Sequence, residues 1–170
     1  MSDRKVCLLA LCVLSLSWVL AGACWSSPAD EDFRKGYEAS IAREWEQAIA
    51  LFTSSIEADP TNPEVYFQRA VAFEMAGRID EAMADYHKAL QLKPDYYLAL
   101  EYLAKLYESK GGYEKALVLY NRALPLVTDE KWRSMVNWWI SEAKKKIAST
   151  GETNETSSAR RERHSRSRAR

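Results

Sequence analysis

Two histidines and three cysteines are the residues of this chain best suited to chemistry, and neither set is arranged for it. His87 and His164 have no second histidine or cysteine at metal-ligand spacing, so no metal is expected. Gly111-Gly112 is not followed by Lys-Ser or Lys-Thr, so it does not read as a phosphate-cradling loop. No serine sits in a Gly-x-Ser-x-Gly elbow. The acid pairs Asp80-Glu81 and Asp129-Glu130 fall at expected helix starts, where the positive end of the helix dipole accounts for them. Asn154-Glu155-Thr156 has the form of a glycosylation sequon, which has meaning only on a eukaryotic secretory route. The chain reads as non-enzymatic, with no catalytic residue and no cofactor.

What must position any function is a set of residues that recurs 34 positions on. Tyr66, Ala70, Phe73, Gly77, Ala82, Tyr86 and Ala89 are followed, in phase, by Leu100, Ala104, Tyr107, Gly111, Ala116, Tyr120 and Ala123. This is the period of a two-helix unit that cannot bury its faces alone and so stacks into a solenoid. Small residues at Ala70, Ala82 and Ala89 let two helices approach, and Phe73 and Tyr86 fill the space between the close points. Gly77 suits the turn between helices, where a positive φ ends one helix cheaply. Pro94 closes the second helix.

On these residues the stretch 63–124 resembles the tetratricopeptide-repeat family. The resemblance implies an all-α fold: a right-handed helix-turn-helix solenoid of three units plus a C-terminal capping helix. The units are about 29–62, 63–96 and 97–130. The first is the weakest. Ala48, Phe52, Pro60 and Gly36 fit, whereas Asp32, Ala39 and Ser55 depart from the pattern, as a terminal repeat does. After Pro125, Thr128-Asp129-Glu130 reads as a helix start with Thr128 as the cap. Trp132, Val136, Trp139, Ala143 and Ile147 then form one apolar stripe on a helix over 129–148, with Lys144, Lys145 and Lys146 in its last turn.

The two ends are different material. Arg4 and Lys5 precede an uncharged run, Val6 to Ala23, that ends in Ala21-Gly22-Ala23. This is the order of a secretory signal peptide, 1–23. Leu20-Ala21-Gly22-Ala23-Cys24 resembles a bacterial lipoprotein signal, which implies acylation of Cys24. It departs from that pattern by holding Ala21 three places before the cysteine. The same residues satisfy ordinary cleavage, and an uncleaved anchor is a third reading. Residues 24–29 would be a tether, and the lack of Asp at Trp25 leans towards the outer membrane. From 149 to 170 the chain is mostly Ser, Thr, Arg and Glu, and is expected to be disordered. The zero formal net charge of the chain hides an acidic body and this basic tail, which could make weak contacts with anions; nucleic acid is not expected as a partner.

The domain 30–148 therefore carries the function. In the resembling family the first helix of each unit lines a concave groove. Carried over by position, the groove holds Phe33, Arg34, Tyr37 and Ile41, then Glu64, Phe67, Gln68, Val71 and Met75, then Leu98, Glu101, Tyr102 and Lys105. Some of these, Leu98 and Val71 above all, could equally pack against neighbouring units. The rings among them suit an interface. The family's clamp for a terminal carboxylate would need Lys, Asn and Arg where this chain has Phe33, Tyr37, Gln68, Leu98 and Tyr102, so that activity is not expected. The reading is a non-catalytic adaptor, exported and lipid-anchored in the cell envelope, that holds a segment of another envelope protein in its groove. The alternative is a self-associating structural protein of the envelope, or a soluble periplasmic or secreted form.

Overall fold

The computed structural model describes residues 27–168, with side chains as far as Ser149. Six helices form three antiparallel pairs: α1 (Pro28–Ile41) with α2 (Trp45–Ala58), α3 (Pro63–Met75) with α4 (Ile79–Leu92), and α5 (Tyr97–Ser109) with α6 (Tyr113–Ala123). A 3-10 turn, Leu124–Leu126, leads to α7 (Glu130–Arg168). Each helix packs on the next in sequence, so the pairs stack into a solenoid that α7 caps. The expected fold class holds.

The helix ends follow from local chemistry. Ser27 and Asp30 form a reciprocal capping box at the start of α1, with Pro28 at the first position, where a missing N–H costs nothing. The Asn62 side chain and Pro63 do the same work for α3. The start of α7 differs from expectation. Asp129, not Thr128, is the cap, its carboxylate accepting from the Trp132 amide at 2.9 Å. The helix over 129–148 is the first part of an element that runs on to Arg168.

The turns inside the pairs share one geometry. Gly77 and Gly111 take φ of 78° and 76°, and the amide one residue later donates to a carbonyl five residues back, at 2.8 Å in both. Arg43, one period before Gly77, takes φ of 63° with the same bond, Glu44 N–H to Ala39 O at 2.9 Å. A left-handed conformation costs an L-residue roughly 1–2 kcal/mol. Arg43→Gly is therefore expected to stabilise the domain, by about 1 kcal/mol after the extra chain entropy of glycine is set against it. A denaturant melt decides this, and an earlier midpoint would refute it.

The core repeats with the sequence. Ala48, Ala82 and Ala116 are fully buried at the crossings, and Phe52, Tyr86 and Tyr120 are fully buried beside them. Gly36 stands against Phe52. A Cβ at residue 36 would fall 2.7 Å from that ring, so α1 and α2 approach more closely than alanine would allow. Tyr86 and Tyr120 donate to Glu74 and Glu108, at 3.0 Å in each unit. One period upstream both partners change together, to Phe52 and Ser40, which leaves no orphan. Burial, and then the neighbouring Glu74 or Glu108, pushes both phenols far above their ordinary pKa. On α7, Val136, Ile140 and Ala143 are buried and Trp139 stacks on Tyr120 at 5.6 Å. Trp132 leaves the expected stripe and is 48% exposed.

Candidate functional site

The first helices of the three pairs, α1, α3 and α5, present one residue set at corresponding positions, and burial divides it sharply. Tyr37 and Ile41 on α1, Met75 on α3 and Leu98 on α5 are exposed. Phe67 is not: at 5% exposure it is the hub of an aromatic cluster. Its ring centroid lies 5.1 Å from Tyr96, 5.7 Å from Tyr86 and 5.6 Å from Tyr102. Phe33 is half-buried against Phe52, at 5.9 Å. Val71 and Tyr102 are likewise partly buried against the core.

The polar members are mostly occupied. Arg34 pairs with Glu38 along the exposed side of α1. Glu64 accepts from Gln68 at 2.9 Å and from the Tyr96 hydroxyl. That phenol is held neutral well above its ordinary range, by burial first and the Glu64 hydrogen bond second. Glu101 is buried and takes Lys105 at 2.6 Å. The Lys105 ammonium also lies 4.5 Å from the Trp139 ring. The exposed apolar members of the set are thus Tyr37, Ile41, Met75 and Leu98, while Lys105 is exposed and Gln68 partly buried.

Two features lay outside the reading of the sequence. Trp132 and Met135 of α7 are exposed, and Trp132 lines one cavity with Leu98 of α5. The signal for them was available: they stand one period after Leu98 and Glu101. The second is an ion pair between helices. Arg69 on α3 binds Asp85 on α4 through two nitrogens, at 2.6 and 2.8 Å, and donates to Thr53 on α2 at 3.0 Å. One period downstream the same positions hold Leu103 and Leu119, both buried.

His87 accounts for itself structurally. Its Nε2 lies 2.9 Å from the Tyr107 hydroxyl, and burial, with Lys115 nearby, lowers its pKa. Among the described residues no group of three or more His, Cys, Asp or Glu could hold a metal ion.

Residues 63–96 match the tetratricopeptide repeat family. Small glutamine-rich tetratricopeptide repeat-containing protein 2 of Saccharomyces cerevisiae is 30% identical over 118 residues, covering 69% of this chain and 34% of its own length. Tetratricopeptide repeat and J domain-containing co-chaperone DNJ1 of Fusarium oxysporum is 35% identical over 80 residues, 47% of this chain and 15% of its own. Among solved structures, the first tetratricopeptide domain of Spaghetti (RPAP3) bound to the HSP90 peptide SRMEEVD superposes with a TM-score of 0.63. It covers 71% of this chain and 93% of its own, at 22% identity, a likeness of fold. The chain carries a tetratricopeptide repeat within a solenoid of three such helix pairs, and repeat domains of this kind are scaffold or adaptor modules. It spans about a third of the length of the first curated relatives it matches.

These relatives correct the expected setting. An exported, lipid-anchored envelope adaptor, or a self-associating envelope protein, does not stand, because the curated relatives include a fungal co-chaperone and an Hsp70-Hsp90 organizing protein of wheat, Triticum aestivum. An apolar run followed by small residues and a cysteine is a short, permissive pattern, and it carried that expectation alone. Cys24 and the stretch 1–23 lie outside the described residues. Among the described residues no helix is long and apolar enough to cross a membrane.

Proposed function

We propose that the chain is an adaptor whose concave face holds an internal segment of a protein partner through apolar anchors. The observation that carries this is the exposed apolar set Tyr37, Ile41, Met75, Leu98 and Trp132, which falls on the first helix of each pair and on α7. Such rings bury area at low entropic cost, and the flexible Met75 thioether adapts to the surface it meets. A protein or peptide ligand is supported by the relative from Fusarium oxysporum, which is named a co-chaperone. The binding domain is 30–148, and the basic tail from 149 onward adjusts affinity at low salt without choosing the partner.

The kind of segment is narrowed by what the groove lacks. A terminal carboxylate needs cationic and amide donors, and the corresponding positions are Phe33, Tyr37, Gln68, Leu98 and Tyr102. Of these none is cationic and only Gln68 carries an amide, which already serves Glu64; Tyr37 and Tyr102 offer neutral hydroxyls alone. The peptide SRMEEVD is therefore expected not to bind, even at millimolar concentration, by calorimetric titration. A photo-crosslinking residue at Tyr37, Met75 or Leu98 is expected to capture one common protein through an internal segment. The same residue at Val118, exposed on the second helix of its pair, is expected to miss it. Saturable binding of SRMEEVD would overturn the internal-segment reading. Equal capture from Val118 would overturn the groove.

A further inference from the structure

We propose that the apolar run 6–23 of this chain docks in its own groove, and that a partner segment binds by displacing it. The inference rests on the groove reading above. The run has eighteen residues without a charge and belongs to none of the helix pairs. Such a sequence is stable in water only when its apolar surface is covered. The domain offers a matching surface. Tyr37, Ile41, Met75, Leu98 and Trp132 are exposed on α1, α3, α5 and α7. These helices follow one another without a gap. Helix α1 contacts α3, and Phe67 of α3 meets Tyr102 of α5. Leu98 of α5 then shares a cavity of about 370 Å³ with Trp132 of α7, walled also by Leu126 and Val127. Lys105 already neutralises Glu101 at that end, so the surface asks for an uncharged occupant.

Length and tether fit. Coiled as a helix, such a run extends about 27 Å at 1.5 Å per residue. Packed helices stand about 8–10 Å apart, so the three steps from α1 to α7 come to roughly 24–30 Å. Leu9, Val13, Leu16 and Leu20 fall at i, i+4, i+7 and i+11, the spacing of anchors on a helix that lies in a groove. Residues 24–26 join the run to Ser27, the cap of α1. They hold Ala23 within about 14 Å of Ser27. So short a tether sets a local concentration on the order of millimolar. An intrinsic affinity of only about 1 μM would then leave roughly one groove in a thousand open. A partner in solution has to outcompete that.

The test uses the full chain and its own thiols. Cys7, Cys12 and Cys24 are its three cysteines, and all precede Ser27. Met75→Cys and Leu98→Cys each place a fourth in the groove; Val118→Cys, exposed on α6, places one outside it. Under oxidised glutathione both groove variants are expected to form a disulfide within one chain, to Cys7 or Cys12, mapped by peptide mass. The yield is expected to be at least fivefold above that of Val118→Cys. Adding Leu9→Asp with Leu16→Asp is expected to cut it at least fivefold while the domain still melts cooperatively. Yields no higher than that of Val118→Cys, or unmoved by the two aspartates, would overturn the docking. An intact mass showing that the run is removed before purification would overturn it as well. A disulfide between chains, rising with protein concentration, would give the groove to a second copy and overturn docking in cis. Partner crosslinking from Tyr37 judges the groove itself, so either reading can fail while the other stands.

Discussion

Phe67→Ala is expected to cost about 3–5 kcal/mol of folding stability, because it empties the centre of a packed cluster. Phe67 touches rings from α4, α5 and the α4–α5 connection, namely Tyr86, Tyr102 and Tyr96. None of these can follow the lost ring inward without leaving its own hydrogen bond or neighbour, since Tyr86 is tied to Glu74 and Tyr96 to Glu64. For a domain of this size, whose total stability is on the order of 5–15 kcal/mol, that is a large fraction. Guanidinium melts followed by circular dichroism measure it. Tyr37→Ala, half exposed on α1, is expected to change stability by no more than about 0.5 kcal/mol. Partner capture should then weaken in both variants for different reasons, a loosened α3–α5 packing in one and a missing anchor in the other. A Phe67→Ala variant as stable as wild type would place Phe67 on the open surface and return it to the list of direct contacts.

Asp85→Ala is expected to be as damaging. It leaves the Arg69 guanidinium, with only 17% of its side chain exposed, facing the core without its carboxylate. Removing one member of a buried pair costs about 3–5 kcal/mol, most of it the stranded charge. Thr53 and the rings of Tyr66 and Phe73, 5.8 and 5.7 Å from the guanidinium, compensate only in part. The third unit supplies the control, since it holds Leu103 and Leu119 where the second holds Arg69 and Asp85. The double change Arg69→Leu with Asp85→Leu is therefore expected to cost less than Asp85→Ala alone, and to leave the melt single and cooperative. If the double variant is the less stable of the two, the pair contributes more than an apolar substitute of the same shape.

The repeat could be read from one chain because its determinants are local or strictly periodic. Gly77 and Gly111 mark turns that need positive φ, and the fully buried Ala48, Ala82 and Ala116 mark crossings that admit only a methyl group. The same turn at Arg43 was hidden, because an arginine in that conformation follows from the register of its neighbours and not from its own preference. Trp132 was assigned to a buried stripe because helical spacing groups it with Val136, and spacing alone does not say where the partner surface ends. The setting was misread for another reason: the N-terminal pattern is short, and many unrelated chains satisfy it by composition.

The sequence by itself therefore determined the period, the three helix pairs, the capping helix and the small-residue crossings. Tertiary structure decided which groove positions are free. Phe67 and Tyr37 both belong to the groove set, yet one is buried by rings arriving from the next unit and the other meets solvent. Periodicity fixes the direction of a side chain from its own helix axis. Exposure depends on how far away the next helix lies and how long its side chains are, and those distances exist only once the units have stacked.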